Sequence, residues 1–202
     1  MRRLLACLAS LTLILHCGGA VAGDYHGFQI DEHARQLAPD ELNSLTAQLD
    51  VVEAVGLPPA VLDVLKQTPI VVDPELRGQP GIFAVRRDQG AVYVRPIVFE
   101  ANKPILLHEL LHAYHFRVLR MDRPEIEQAY RAVKASNAFP ARFQSAHFLE
   151  NAKEFFAVTG TIYLFGNIQQ PPFSCATLAK LPADYLDFLA ARFGPHVCHA
   201  DT

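Results

Sequence analysis

From residue 39 the apolar positions recur with helical spacing. Leu42, Leu45, Leu49, Val52 and Val55 share one face, Asp40 and Glu41 stand at the end where the helix dipole favours negative charge, and Gly56 follows as a stop. A second short helix is expected after Pro58 and Pro59. The period then changes to that of extended chain. Residues 69–72, 82–86 and 91–94 are β-branched or alternating, and Asp88-Gln89-Gly90 supplies turn chemistry between the last two. This pattern predicts a small antiparallel sheet. Next comes a helix predicted over 103–119, with Asn102 as N-cap and Pro104 in its first turn. Ile105, Leu106, Leu107, Leu110 and Leu111 leave its middle little polar face, which implies burial on most sides. Further helices are expected over 124–135, from about 148 to 165, and over 183–193, where Gly194 and Pro195 form a stop. Residues 23–38 are polar and poorly patterned, as in a loose start or a pro-segment. The fold class is therefore α+β, mainly helical, with the sheet preceding the buried helix.

The first residues change the picture of where the chain works. Arg2 and Arg3, an apolar run over 4–15 and the small-residue exit Ala20-Val21-Ala22 have the order of a secretory signal peptide cut after Ala22. The run is shorter than the ~20 residues a spanning helix needs, so no membrane attachment is expected after cleavage. Residues 23–202 are expected to form a single domain, secreted or periplasmic, and a monomer. Removing Arg2 and Arg3 from the 18 Lys and Arg, against 21 Asp and Glu, leaves a formal charge of about minus five, which argues against a nucleic-acid partner. Two of the four cysteines remain, Cys175 and Cys198. In an exported chain they read as a disulfide, worth ~3 kcal/mol in the chain-entropy model.

The candidate chemistry sits on the buried helix. In His108-Glu109-Leu110-Leu111-His112 two histidines four residues apart project from one helix face, where both imidazoles can hold one Zn2+. The intervening Glu109 is placed to act as general base toward a metal-activated water. A catalytic zinc takes three protein ligands and keeps one position open, so a third is needed. The longer motif with Gly three and His six residues further on is excluded, because those positions hold His115 and Val118. Carboxylates on later helices remain: Glu125, Glu127, Glu150 and Glu154. The first two sit in an ordinary polar helical turn. Glu154 lies among Ala152, Phe155, Phe156, Ala157 and Val158, where a charge needs a compensating partner, although an exposed Glu beside Lys153 fits the window equally well. His115 falls one turn beyond His112 and reads as a hydrogen-bonded interior histidine.

The HELLH stretch together with Asn151-Ala152-Lys153-Glu154-Phe155-Phe156-Ala157, some forty residues later, resembles the gluzincin metallopeptidases, and within them the catalytic domain of the anthrax lethal factor type. The resemblance covers roughly residues 102–166. It implies a zincin-like fold, His108, His112 and Glu154 as zinc ligands, and Glu109 as general base. Two positions depart from the family. Where a second acid often follows four residues after the ligand glutamate this chain has Val158, so support for the zinc histidines falls to another residue such as Glu150. Where a tyrosine steadies the oxyanion it has His147, with Tyr114, Tyr130 and Tyr163 as alternatives.

The resulting expectation is an exported zinc metallopeptidase acting on a peptide or protein substrate. Its rivals are a zinc-stabilised binding protein without activity and a hydrolase of cell-wall peptides. An open fourth position beside Glu109 would favour the enzyme, a fourth protein ligand such as His115 or His147 the structural site.

Overall fold

Alternating burial becomes one five-stranded sheet among the described residues, which are 23–86, 88–136, 138–167, 174–195 and 197–199 of this computed structural model. The expected signal peptide, residues 1–22, lies outside them. The strands are β1 (Gly23–Tyr25), β2 (Phe28–Asp31), β3 (Ile70–Val72), β4 (Gly81–Arg86) and β5 (Gln89–Val94), in the order β1-β2-β3-β5-β4.

The sheet is mixed, not antiparallel as the pattern predicts. β1 with β2 and β4 with β5 run antiparallel, whereas β3 runs parallel to both β2 and β5. Two helices, α1 (Pro39–Ala54) and α2 (Pro59–Lys66), carry the chain from β2 back to β3, supplying the crossover that parallel neighbours require. The difference has two origins: β3 pairs with β5 and not with β4, which makes that pair parallel, and residues 23–31 form an integral hairpin of the sheet on the other side of β3. Phe28 and Ile30 are buried there, and two apolar residues are too few for a period to register in sequence. Gln89 and Gly90 likewise belong to β5 rather than to a turn. A Cβ at Gly90 would lie 2.6 Å from the Phe83 ring, so this glycine serves a close approach between strands.

The buried helix is α3 (Ile105–Tyr114), packed against α1, α2, β4 and β5. Leu106, Leu107, Leu110 and Leu111 are completely buried. Its start differs from the Asn102 cap. The chain turns through Lys103 and Pro104, and the buried Gln48 of α1 accepts from the Leu106 N–H at 3.4 Å while donating to the Glu100 carbonyl at 3.1 Å. The α-helical ladder also ends earlier than residue 119, widening to a π turn over His115–Leu119, a geometry that recurs at functional sites.

The second half of the chain adds α4 (Pro124–Ala135), α5 (Ala152–Phe165), α6 (Cys175–Leu178) and α7 (Ala183–Phe193). α5 crosses α3 closely because Gly160 has no side chain: a Cβ there would stand 3.1 Å from Leu111 Cδ1. α7 stops at Gly194, whose φ of 82° is natural for glycine. Cys175 and Cys198 form the expected disulfide, with Cα atoms 5.4 Å apart. Among the described residues no helix is long and apolar enough to cross a membrane.

Candidate metal centre

α3 presents His108 and His112 on one face, and α5 supplies Glu154 from its first turn. α5 begins four residues later than the pattern predicts, after a 3-10 turn at His147–Leu149, because Asn151 breaks the chain into the extended conformation and caps the helix. Its side-chain oxygen accepts from the N–H groups of Lys153 (2.9 Å) and Glu154 (3.0 Å). The cap therefore sets where the carboxylate enters, and the helix dipole favours a negative charge there. Asn151→Ala is expected to lower unfolding free energy by about 1 kcal/mol, with Asn151→Ser recovering most of it, as read from denaturant unfolding.

Three ligand atoms meet. His108 Nε2 and His112 Nε2 are 3.2 Å apart, and Glu154 Oε2 lies 3.2 Å from His112 Nε2 and 3.4 Å from His108 Nε2. Ligands held at zinc's usual ~2.0–2.1 Å with tetrahedral angles would stand about 3.3 Å from one another, so two imidazoles and a carboxylate fit that ion in chemistry and in spacing. Among the described residues no fourth His, Cys, Asp or Glu joins this trio within the 4.8 Å that its atoms share.

His147 touches the trio from one side. Its Nε2 is 2.8 Å from Glu154 Oε2 and its Nδ1 3.1 Å from Glu150 Oε2. Burial by itself would raise the Glu154 carboxyl, but hydrogen bonds from His108, His112 and His147 outweigh it and hold the group well below the usual carboxylate range. The hydrogen bond to Glu154 in turn pushes His147 up to about 9, against the opposing effect of its partial burial and with help from Glu150. Glu150 is exposed and pairs with His147; it does not support the zinc histidines as the sequence suggested. The three alternative tyrosines turn away. Tyr130 donates to the carbonyls of Leu149 and Glu150, Tyr163 donates to Gly194 and Tyr114 packs on Phe193, and none walls the cavity beside the trio.

Glu109 is 6% exposed. Its Oε2 accepts from the backbone N–H of Phe83 at 2.7 Å, and its Oε1 is 4.0 Å from His108 Nε2. Glu109, His108 and His147 wall one cavity of about 580 Å³, whose remaining lining is largely apolar, with Ile97, Phe99 and Ile105 prominent. The loop that forms this wall is fastened to α1 by Ser44, which accepts from the Phe99 N–H at 3.0 Å, and by Gln48. Neither residue carried a signal in the sequence, since both act only through tertiary contact. Asn151 did carry one: an Asn followed three residues later by Glu is a helix-start pattern.

His115 is fully buried, yet neither ring nitrogen has a hydrogen-bond partner among the described residues, contrary to the hydrogen-bonded interior histidine expected. It packs against the Phe156 ring, 4.9 Å between centroids. Burial, with smaller effects of His112 and Lys153, pulls it down to about 4 from an ordinary value near 6.5. The unfolded chain thus takes up this proton first as pH falls. Stability from this group is complete above pH ~6.5 and is lost between there and pH 4, by about 3 kcal/mol. Comparing unfolding of the parent and His115→Leu at pH 7 and pH 5 is expected to show a smaller drop in the variant; equal drops would contradict it.

No family model and no curated protein matches the chain. Among solved structures it is similar to the Pro-Pro endopeptidase PPEP-2 from Paenibacillus alvei, with 18% sequence identity and a TM-score of 0.49, over 79% of this chain and 95% of that one. A likeness of that size fixes neither activity nor substrate.

Proposed function

We propose that this protein is an exported zinc metallopeptidase that hydrolyses peptide bonds, with His108, His112 and Glu154 as metal ligands and Glu109 as general base. The observation that carries the reading is the set of three near-equal separations, 3.2, 3.2 and 3.4 Å, among two imidazole nitrogens and one carboxylate oxygen, with His108 of the trio lining a cavity that Glu109 also lines. Bound there, zinc supplies Lewis acidity, which makes water a usable nucleophile near neutral pH and polarises the scissile carbonyl.

The chain's own groups do the rest. Glu109 takes the proton of the attacking water and delivers it to the departing amine. His147, cationic near neutrality through its pairing with Glu154, faces the same cavity and is suited to stabilise negative charge on the substrate oxygen. β4, the outer strand of the sheet, offers backbone groups to an extended peptide. The set of three side-chain ligands, with no fourth among the described residues, favours an enzyme over a purely structural zinc.

The test is metal analysis of the purified mature chain joined to a peptide-library digest. One zinc per chain, cleavage abolished by chelation and restored by added zinc is the expected result. A folded chain that keeps its zinc and cuts no peptide would overturn the peptidase reading.

A further inference from the structure

β4 is an edge strand, and its hydrogen-bond alternation fixes which of its amides face outward. The Arg95 N–H donates to the Pro80 carbonyl, and the antiparallel register then turns Ile82, Ala84 and Arg86 toward β5 and the N–H groups of Gly81, Phe83 and Val85 away from it. An outward edge amide ordinarily bonds to water. That of Phe83 donates instead to Glu109 Oε2, at 2.7 Å. Strand and helix approach closely enough for this because Gly81 is bare: a Cβ there would lie 3.1 Å from Ile105 Cγ2 and 3.5 Å from Glu109 Cγ.

A carboxylate is free to spin about its last bond unless one oxygen is held. With Oε2 held by the strand, Oε1 is left on the side of His108 Nε2, 4.0 Å away. We propose that the Phe83 peptide N–H is a positioning group for the base of this site: it pins Glu109 Oε2 to the sheet edge, so that Oε1 alone faces the reacting water. The contact is charge-assisted and sits on a rigid element, the combination that keeps a reacting group in one orientation. A further result concerns the substrate. A peptide laid along β4 meets the amides of Gly81 and Val85 but finds that of Phe83 already taken, so its ladder is interrupted opposite the base. The term base rests on the peptidase reading; the anchoring itself does not.

Two measurements test it. In amide hydrogen exchange on the native protein, the Phe83 amide is expected to exchange at least tenfold more slowly than that of Val85, and to lose this protection in Glu109→Ala. Equal exchange of the two amides in the parent would overturn the anchor whatever the activity. In the second, Phe83 is replaced by its α-hydroxy analogue, which keeps the ring and exchanges N–H for an ester oxygen; the same exchange at Val85 is the comparison, since it weakens the strand equally but frees no side chain. The Phe83 ester is expected to keep stoichiometric zinc and a KM within twofold of the Val85 ester while its kcat falls at least tenfold below it. Equal kcat values for the two esters would overturn the positioning role. A parent with a protected Phe83 amide that cleaves no peptide sinks the peptidase reading, and the role of base with it, which tells the two failures apart.

Discussion

Glu109→Gln is expected to bind one zinc per chain with parental affinity and to lose peptide cleavage by ~10²–10⁴-fold in kcat. The amide keeps the shape of the side chain, and its carbonyl oxygen can still accept from the Phe83 N–H, so the anchor at the sheet edge survives. It has no proton-accepting charge to offer water. KM should move little, because the residue is asked for proton transfer and not for binding. Inductively coupled plasma analysis alongside single-turnover cleavage separates the two properties. Parental cleavage by this variant would remove Glu109 from the mechanism.

Glu154→Ala is expected to cost more zinc affinity than the ~10–100-fold that loss of a supporting hydrogen-bond partner typically costs, because on the proposed reading a ligand itself is removed. The change also leaves three imidazoles facing one another without the anion that now bridges them. His147 loses the partner that holds it up near 9, so it should titrate close to an ordinary histidine, which NMR of the imidazole carbons would follow in the metal-free chain. Asn151 still caps α5 in this variant, and the helix start should persist. Unchanged zinc affinity would mean that another group completes the site.

The sequence foreshadowed some of these features and hid others, for reasons that are physical. Two histidines at i and i+4 need only a helix to share a face, so their convergence was readable from five residues. Glu154 was readable as a charge set among Phe155, Phe156 and Val158, though its partner lies forty residues away and required the resemblance to choose it over Glu150. The helices over 39–54, 124–135 and 183–193 followed from their caps and periodicity. What stayed hidden depends on tertiary contact or on backbone. The hairpin at 23–31 gains its strand character from pairing with β3, not from its own pattern. The Phe83 N–H carries no side-chain signature, and the role of Gln48 exists only because α1 runs beside the start of α3. The break at Asn151 was visible in principle, but the apolar stripe continuing back through Phe148 and Leu149 masked it.

The bare flank of Gly160 against Leu111 lies in the gap between the two helices that carry His108, His112 and Glu154. If the proposed centre binds zinc, its affinity is open to adjustment from behind: a methyl at position 160, remote from the three candidate ligand atoms, would press on Leu111 Cδ1 from 3.1 Å. Evolution or an engineer could retune the proposed centre there without rewriting His108, His112 or Glu154.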